Sequence, residues 1–252
     1  MAGLSAAARP VVPVFEVEFA GGSAGGRCRG PLGQLWGMPF ERVAPVRSFP
    51  SFRGQASFPG LYYAATMDAH VGFESWLERD VAMMLDFDPA VVAFSSQPFW
   101  LTWAQDGRQQ RHAPDYFARL ADGTGVVIDV RPDDRIEPRD AEAFAATGRA
   151  CREVGWVFRR TPGPGAVLAA NVRWLAGYRH RRCYRGEVAG LLTGVFAKPK
   201  PLMAGVREAG DPVGVLPVLY HLLWTQVLSA DVTAGPLGPG SVVCVKQEGT
   251  GW

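Results

Sequence analysis

The sequence predicts an α/β fold in which a sheet is flanked by helices, followed by a second, mainly helical module. Three observations lead there. Residues 126–130 read Val-Val-Ile-Asp-Val, apolar enough for a strand at the centre of a sheet. Stretches with helical character lie around it, at 73–87, 138–153 and 166–178. Asp-Gly pairs at 106–107 and 122–123 place hairpin turns between extended segments. With 252 residues, 48% of them hydrophobic and 20% charged, the chain can bury a core large enough to offset its ordering entropy, which excludes wholesale disorder.

Taken in order, residues 1–70 read as a loop-rich N-terminal extension. It carries one short strand, Val14–Phe19, where apolar residues alternate with Glu16 and Glu18, and a Gly-rich mobile loop from Gly21 to Gly33. No function is assigned to it. Apolar residues at 73, 77, 81 and 84 predict an amphipathic helix over Phe73–Phe87, ended by Asp86–Pro89 because the residue before proline disfavours helix. Val91–Phe94 reads as a short strand. Gln97–Trp103, Arg111–Arg119 and Gly125–Arg131 then form three antiparallel strands. A helix over 138–153 has a proline near its start, Trp156–Arg160 returns as a strand, and Ala166–Tyr178 is a further amphipathic helix. Residues 71–180 therefore make up the α/β core.

Beyond residue 180 the pattern changes. Helices are predicted at Tyr184–Phe196, Leu202–Glu208 and Pro212–Leu228, the last with Leu216, Leu219, Leu223 and Val227 on one stripe. Lys198–Pro201 breaks the chain and Ser241–Val245 is a strand. Three helices and a terminal hairpin read as a winged-helix-like module over 181–252, suited to binding DNA or a partner.

Bulk properties exclude several classes. A net charge of +2 means that any nucleic-acid surface must come from local clustering. None of the four cysteines lies in a C-x-x-C pair and no H-E-x-x-H is present, which argues against a zinc ribbon, a disulfide framework and a zincin. Met1–Val14 lacks a cationic start followed by an apolar run, and no stretch reaches the roughly 18 apolar residues of a membrane span. A cytoplasmic protein with no membrane partner is expected.

The chemistry is expected at Glu78, Asp115, Asp129 and Arg131. Side chains alternate along a strand, so Asp129 and Arg131 share a face, about 6.6 Å apart along the chain. If the turn at Asp122-Gly123 pairs the flanking strands, Asp115 comes across from the neighbour, and Glu78 reaches in from the preceding helix. An acid within Val126–Val130 is costly unless a charged group accompanies it. Clustered carboxylates call for a hard divalent cation such as Mg²⁺, which can polarise a phosphodiester and lower the pKa of its bound water. The competing reading makes Asp115 a strand-end residue, Asp129 a paired structural charge and Glu78 a solvated helix position. Glu74, one turn before Glu78, is expected on the surface, and His112 reads as structural.

Pro114-Asp115 followed by Asp129-Val130-Arg131 resembles the PD-(D/E)xK nuclease motif with arginine in the lysine place. The wider run, from Phe73-Glu74-Ser75-Trp76-Leu77-Glu78 through Leu85-Asp86-Phe87-Asp88-Pro89 to Gln97-Pro98, is similar to TnsA-like endonuclease subunits of heteromeric transposases. The likeness covers residues 70–180. It implies a restriction-endonuclease-like core, a central mixed sheet flanked by helices, with Glu78, Asp115 and Asp129 as metal ligands and Arg131 beside them. It also implies Mg²⁺ as cofactor, with Mn²⁺ able to substitute, and cleavage of one strand at transposon ends in double-stranded DNA, the 5′ end. The implied partners are a DDE-type transposase subunit and an AAA+ ATPase regulator. Gln97 and Pro98 match a family position that shapes entry into the following strand.

Arginine is a planar fork and lysine a compact ammonium, so Arg131 leaves two other readings open. One is a non-catalytic DNA-binding and assembly subunit; the other is a stand-alone restriction or repair nuclease. Basic residues gather after the core at Arg173, Arg179, His180, Arg181, Arg182, Arg185, Lys198 and Lys200. Of these, Arg179, Arg181, Arg182, Arg185, Lys198 and Lys200 are the candidate phosphate contacts, against the alternative of a solvated linker. Trp174 and Tyr178 are expected in the core of their helix.

Overall fold

A computed structural model of the chain describes residues 14–21, 26–48 and 58–246. Most of the Met1–Val14 segment, and part of the predicted Gly21–Gly33 loop, lie outside the described residues. The fold is mixed α/β, with four sheets and seven α-helices among the described residues.

The first sheet begins near the N-terminus. β1 (Glu16–Ala20) buries Val17 and Phe19 and turns its glutamates outward. Its partner β2 (Arg27–Pro31) pairs antiparallel with it, so the C-terminal half of the predicted Gly-rich loop is a strand. Arg27 and Arg29 lie across from Ala20 and Glu18 in this register, and each pairs with an outward glutamate: Arg27 with Glu18 at 2.6 Å and Arg29 with Glu16 at 2.6 Å. A four-residue helix α1 (Leu32–Leu35) and a 3₁₀ turn at Phe40–Arg42 follow. The hairpin β3 (Gly60–Ala64) and β4 (Ala69–Phe73) forms a small sheet of its own.

The predicted helix from Phe73 starts later, as α2 (Trp76–Phe87), because Phe73 still belongs to β4. Ser75 caps it by accepting from the Glu78 N–H, and the Glu78 carboxylate bonds back to the Glu74 N–H at 2.8 Å. The core then runs β5 (Val91–Ser96), β6 (Trp100–Gln105), β7 (Arg108–His112), β8 (Tyr116–Leu120) and β9 (Gly125–Val130). Asp106 and Gly107, with φ of 50° and 71°, close the β6–β7 hairpin as the Asp-Gly signal predicts.

One sequence expectation fails here in an informative way. Arg111–Arg119 is not a single strand, and the core is not a single sheet. Ala113-Pro114-Asp115 divides the segment, since proline cannot donate to a ladder. β7 therefore closes a sheet ordered β2-β1-β6-β7, while β8 enters a second sheet ordered β10-β9-β8-β5. The chain crosses between these sheets twice, at Gln97–Phe99 and at Ala113–Asp115. The two crossings are tied together by a 2.9 Å hydrogen bond from the Gln97 N–H to the Asp115 carbonyl. Gln97 has a φ of 45°, a left-handed conformation that sharpens this exit from β5.

α3 (Pro138–Glu153) is capped by Glu137 with a reciprocal bond from Asp140, and it returns the chain to β10 (Val157–Thr161), parallel to β9. β9 is thus central, as its apolar run predicts. Its faces divide by parity. Val126 and Ile128 pack with Val81 and Ala82 of α2, whereas Val127 packs with Ala146 and Ala150 of α3. Asp129 continues the second face.

α4 (Ala166–Ala176) shares a core with α5 (Gly186–Val195), α6 (Leu202–Ala209) and α7 (Pro212–Trp224), joined by Phe87 from the end of α2. α7 ends before Val227, which is 42% exposed rather than part of an apolar stripe; Gln226, at φ 56°, makes the turn. β11 (Lys200–Pro201), β12 (Leu228–Ala230) and β13 (Val242–Val245) form a three-stranded sheet ordered β11-β13-β12. Trp174 is 55% exposed, so it is not a core residue; it lies edge-on to Tyr220, against which Tyr178 also stacks. Among the described residues no helix is long and apolar enough to cross a membrane.

Candidate active site

Where the chain passes between the two large sheets, the surface sinks into a cavity of about 450 Å³. Glu78, Asp115, Asp129 and Arg131 all line it. Each arrives for a local reason. Asp115 ends the crossing that Pro114 enforces, and its Oδ2 accepts the Val130 N–H at 2.7 Å, which fixes the carboxylate beside β9. Asp129 is held by strand parity on the face toward α3 and is 2% exposed. Glu78 stands in the first turn of α2, where its oxygens accept from Ser75 Oγ at 2.9 Å and from the Glu74 N–H.

The acids act on one another through their charges. Burial pushes the Asp115 carboxyl well above the usual carboxylate range, and the charges of Asp129 and Glu78 push it further. Glu78 is raised too, mainly by burial, against the pull of its cap hydrogen bonds. Among the described residues Asp115 has no basic partner in contact; Arg47 acts on it only through its charge. Asp129 does have one. His112 Nε2 lies 2.9 Å from both of its oxygens, and the Asp115 N–H approaches Oδ1 at 3.4 Å. Behind Asp129 the Cys151 thiol is pushed up to about 12 by burial and by that carboxylate, so it remains protonated.

Arg131 shares the cavity but turns to α3, where its Nη2 meets Asp140 Oδ1 at 3.2 Å with the side chain 45% exposed. An exposed pair of this sort is weak, about 0–1 kcal/mol, so the guanidinium is free to exchange partners. Among the described residues no three His, Cys, Asp or Glu side chains are gathered as a ready-made metal site. The Glu78 oxygens are engaged by the Glu74 N–H and Ser75 Oγ. The donor set nevertheless suits a hard divalent cation: oxygen-rich, half-buried and short of positive charge around Asp115.

The basic residues predicted downstream do not form one surface. Arg179 donates to the carbonyls of Tyr63 and Ala176 and lies 4.9 Å over the Tyr62 ring. Arg173 grips Asp80, Arg185 donates to the Gly214 carbonyl, and Lys200 pairs with Glu208 at 2.7 Å. Arg181, Arg182 and Lys198 are exposed.

Sequence reasoning missed His112. Counted along a continuous strand it falls on the face away from Asp115, but the break at Pro114 voids that count. The warning signal was the proline itself. Arg47, Trp100, Arg111 and Arg139 also line the cavity and carried no motif. Glu74 pairs with Arg47 at 2.6 Å rather than standing free on the helix surface.

No curated protein matches the chain. Residues 88–161 match the family model described as TnsA-like endonuclease N terminal, a span that holds His112, Asp115, Asp129 and Arg131 and leaves Glu78 ten residues ahead of it, so this stretch of the chain is similar to TnsA-like endonucleases.

Proposed function

We propose that the chain is a metal-dependent DNA endonuclease, the cutting subunit of a heteromeric transposase that hydrolyses a phosphodiester at transposon ends. The observation that carries this reading is that Glu78, Asp115 and Asp129 line one cavity, the two aspartates within the segment that matches the TnsA-like model. Buried like charges raise one another's proton affinity unless a cation intervenes. Asp115, Asp129 and Glu78 are the residues that would hold Mg²⁺ or Mn²⁺, which when bound supplies Lewis-acid polarisation of the phosphodiester and a water of lowered pKa. His112 keeps Asp129 in place. Val130 does the same for Asp115 through its N–H. Arg131, released from Asp140, offsets charge building on the phosphate.

The restriction-endonuclease-like description fits a core spanning 71–180, with the β1–β2 strands of the N-terminal region paired onto its β6 edge. The order α5-β11-α6-α7-β12-β13 supports a winged-helix-like module over 181–252 that would contact DNA or a partner. A DDE-type transposase, an AAA+ regulator and a cytoplasmic setting follow from the family alone. The test is nicking of supercoiled plasmid in Mg²⁺ or Mn²⁺, alone and with the partner transposase. Cutting by wild type that disappears in Asp115→Ala supports the reading; no cutting in either setting removes it.

One observation favours a second reading. Arg131 stands in the lysine place and is paired away from the acids. In a non-catalytic DNA-binding and assembly subunit, wild type would not nick, whereas Arg131→Lys would begin to.

A further inference from the structure

Three concavities adjoin along the outer face of the β2-β1-β6-β7 sheet, and Trp100 and Arg111 line all of them. The innermost is the acidic cavity. The middle one, about 710 Å³, is lined by Arg27, Arg47 and Arg111 with Trp100, Pro45, Val46 and Ser48, and no acid. The outermost, about 210 Å³, adds Arg29 with the neutral donors Thr102, Gln109 and Gln110, and one acid, Glu18.

We propose that this face is a track for the backbone of duplex DNA, running from the edge strand β2 over Trp100 and Arg111 into the acidic cavity. The proposal rests on the nuclease reading for its direction, since the track ends where the phosphodiester is to be cut.

Charge and geometry single out the occupant. Arg111 has no carboxylate partner among the described residues; its guanidinium lies 4.5 Å over the Trp100 ring. That stacking pre-organises a planar fork suited to phosphate oxygens. Arg27 and Arg29 are paired with Glu18 and Glu16, but with side chains 64% and 49% exposed, such pairs are worth about 0–1 kcal/mol and yield easily to a phosphate. Thr102, Gln109 and Gln110 are donors that bind sugar and phosphate without reading sequence at this position. Arg47 joins the two inner concavities, since its side chain lines both. By contrast, four of the basic residues after the core are spent on internal partners.

The probe is a 30-base-pair fluorescein-labelled duplex of arbitrary sequence, its binding to the full chain read by anisotropy without divalent metal across a range of NaCl. The Arg27→Glu/Arg111→Glu pair should weaken binding at least tenfold and lower the slope of log K against log salt by about two. Arg27→Gln/Arg111→Gln, which keeps the side chains' bulk, should lower the slope likewise, with the melting temperature confirming that both variants fold. Arg149→Ala/Arg152→Ala, at exposed positions of α3 that line none of the three concavities, should change affinity less than twofold. Unchanged binding in the first two variants, an equal loss in the third, or a wild type that binds no duplex overturns the track. A folded wild type that never nicks but loses duplex binding in Arg27→Glu/Arg111→Glu retains the track and discards the nuclease. Metal-dependent nicking with duplex binding indifferent to these arginines does the reverse.

Discussion

Replacing Asp115 by asparagine should make the metal-free protein more stable. Asparagine keeps an oxygen to accept the Val130 N–H and removes the charge that Asp129 and Glu78 oppose. Two unit charges about 5 Å apart at an effective dielectric of about 20 repel by roughly 3 kcal/mol. Asp115 faces two neighbours, and protonation relieves part of the strain, so a gain of about 2–3 kcal/mol is expected near pH 7.5. For a chain of this size each kcal/mol moves the melting temperature by about 2–4 °C, which gives a rise of about 5–10 °C. The pH dependence has a definite sign. The folded Asp115 holds its proton more tightly than the unfolded one, so the group favours folding below the ordinary carboxylate range and that contribution disappears as pH rises through its raised value. The gap between variant and wild type should therefore be small near pH 4 and widen toward pH 8. Divalent metal should then act unequally on the two proteins: at 100 times its Kd it adds about 2.7 kcal/mol to wild type and much less to the variant. Differential scanning calorimetry with EDTA and with Mn²⁺ reads all of this. A variant that melts at or below wild type in EDTA at pH 7.5, or a gap indifferent to pH, would refute the reasoning.

Other perturbations separate the site from its scaffold. His112→Ala leaves the Asp129 carboxylate, 2% exposed, without its imidazole; a loss of about 2–3 kcal/mol in EDTA is expected, partly restored by Mn²⁺, and thermal melting measures both. Ser75→Ala removes the N-cap of α2 and should cost about 1 kcal/mol in urea denaturation while freeing Glu78 from one of its hydrogen bonds. Arg173→Ala tests a member of the basic run that the sequence shows only as charge. Burial raises the Asp80 carboxyl, but hydrogen bonds from Arg173 and Arg79 outweigh it and hold the group below the usual range. That stability is present above the unfolded carboxylate pKa and lost as pH falls, so Arg173→Ala should cost about 1–2 kcal/mol at pH 7 and little near pH 3, with duplex affinity unchanged.

Most of the elements were legible because each has a local cause. The Asp-Gly turns, the apolar run of β9, the proline that starts α3 and the glycine- and proline-rich breaks after residue 180 act over a few residues. What the sequence hid is non-local. Nothing in Arg111–Arg119 announces that its halves belong to different sheets, except a proline whose meaning depends on which strands exist to receive them. His112 went unrecognised for that reason. The Gly-rich stretch after Gly21 hid β2, which the ladder to β1 holds as a strand despite its low strand propensity. The basic run after the core was read by charge count, which cannot separate a solvated arginine from one clamped on Asp80. As for the site, Glu78, Asp115, Asp129 and Arg131 do line one cavity, while the Ser75 cap on Glu78 and the Asp140 partner of Arg131 could be seen only in three dimensions.

The central claim is that acids from three distant segments share one divalent cation. Titrating the full chain with Mn²⁺ and counting free ion by electron paramagnetic resonance tests it without reference to catalysis. Saturable binding by wild type, weakened at least tenfold by Asp115→Asn and by Asp129→Asn and hardly altered by Asp68→Asn on the remote β3–β4 hairpin, is the predicted result. A wild type that leaves all the manganese free, or one whose binding survives both substitutions, contradicts it.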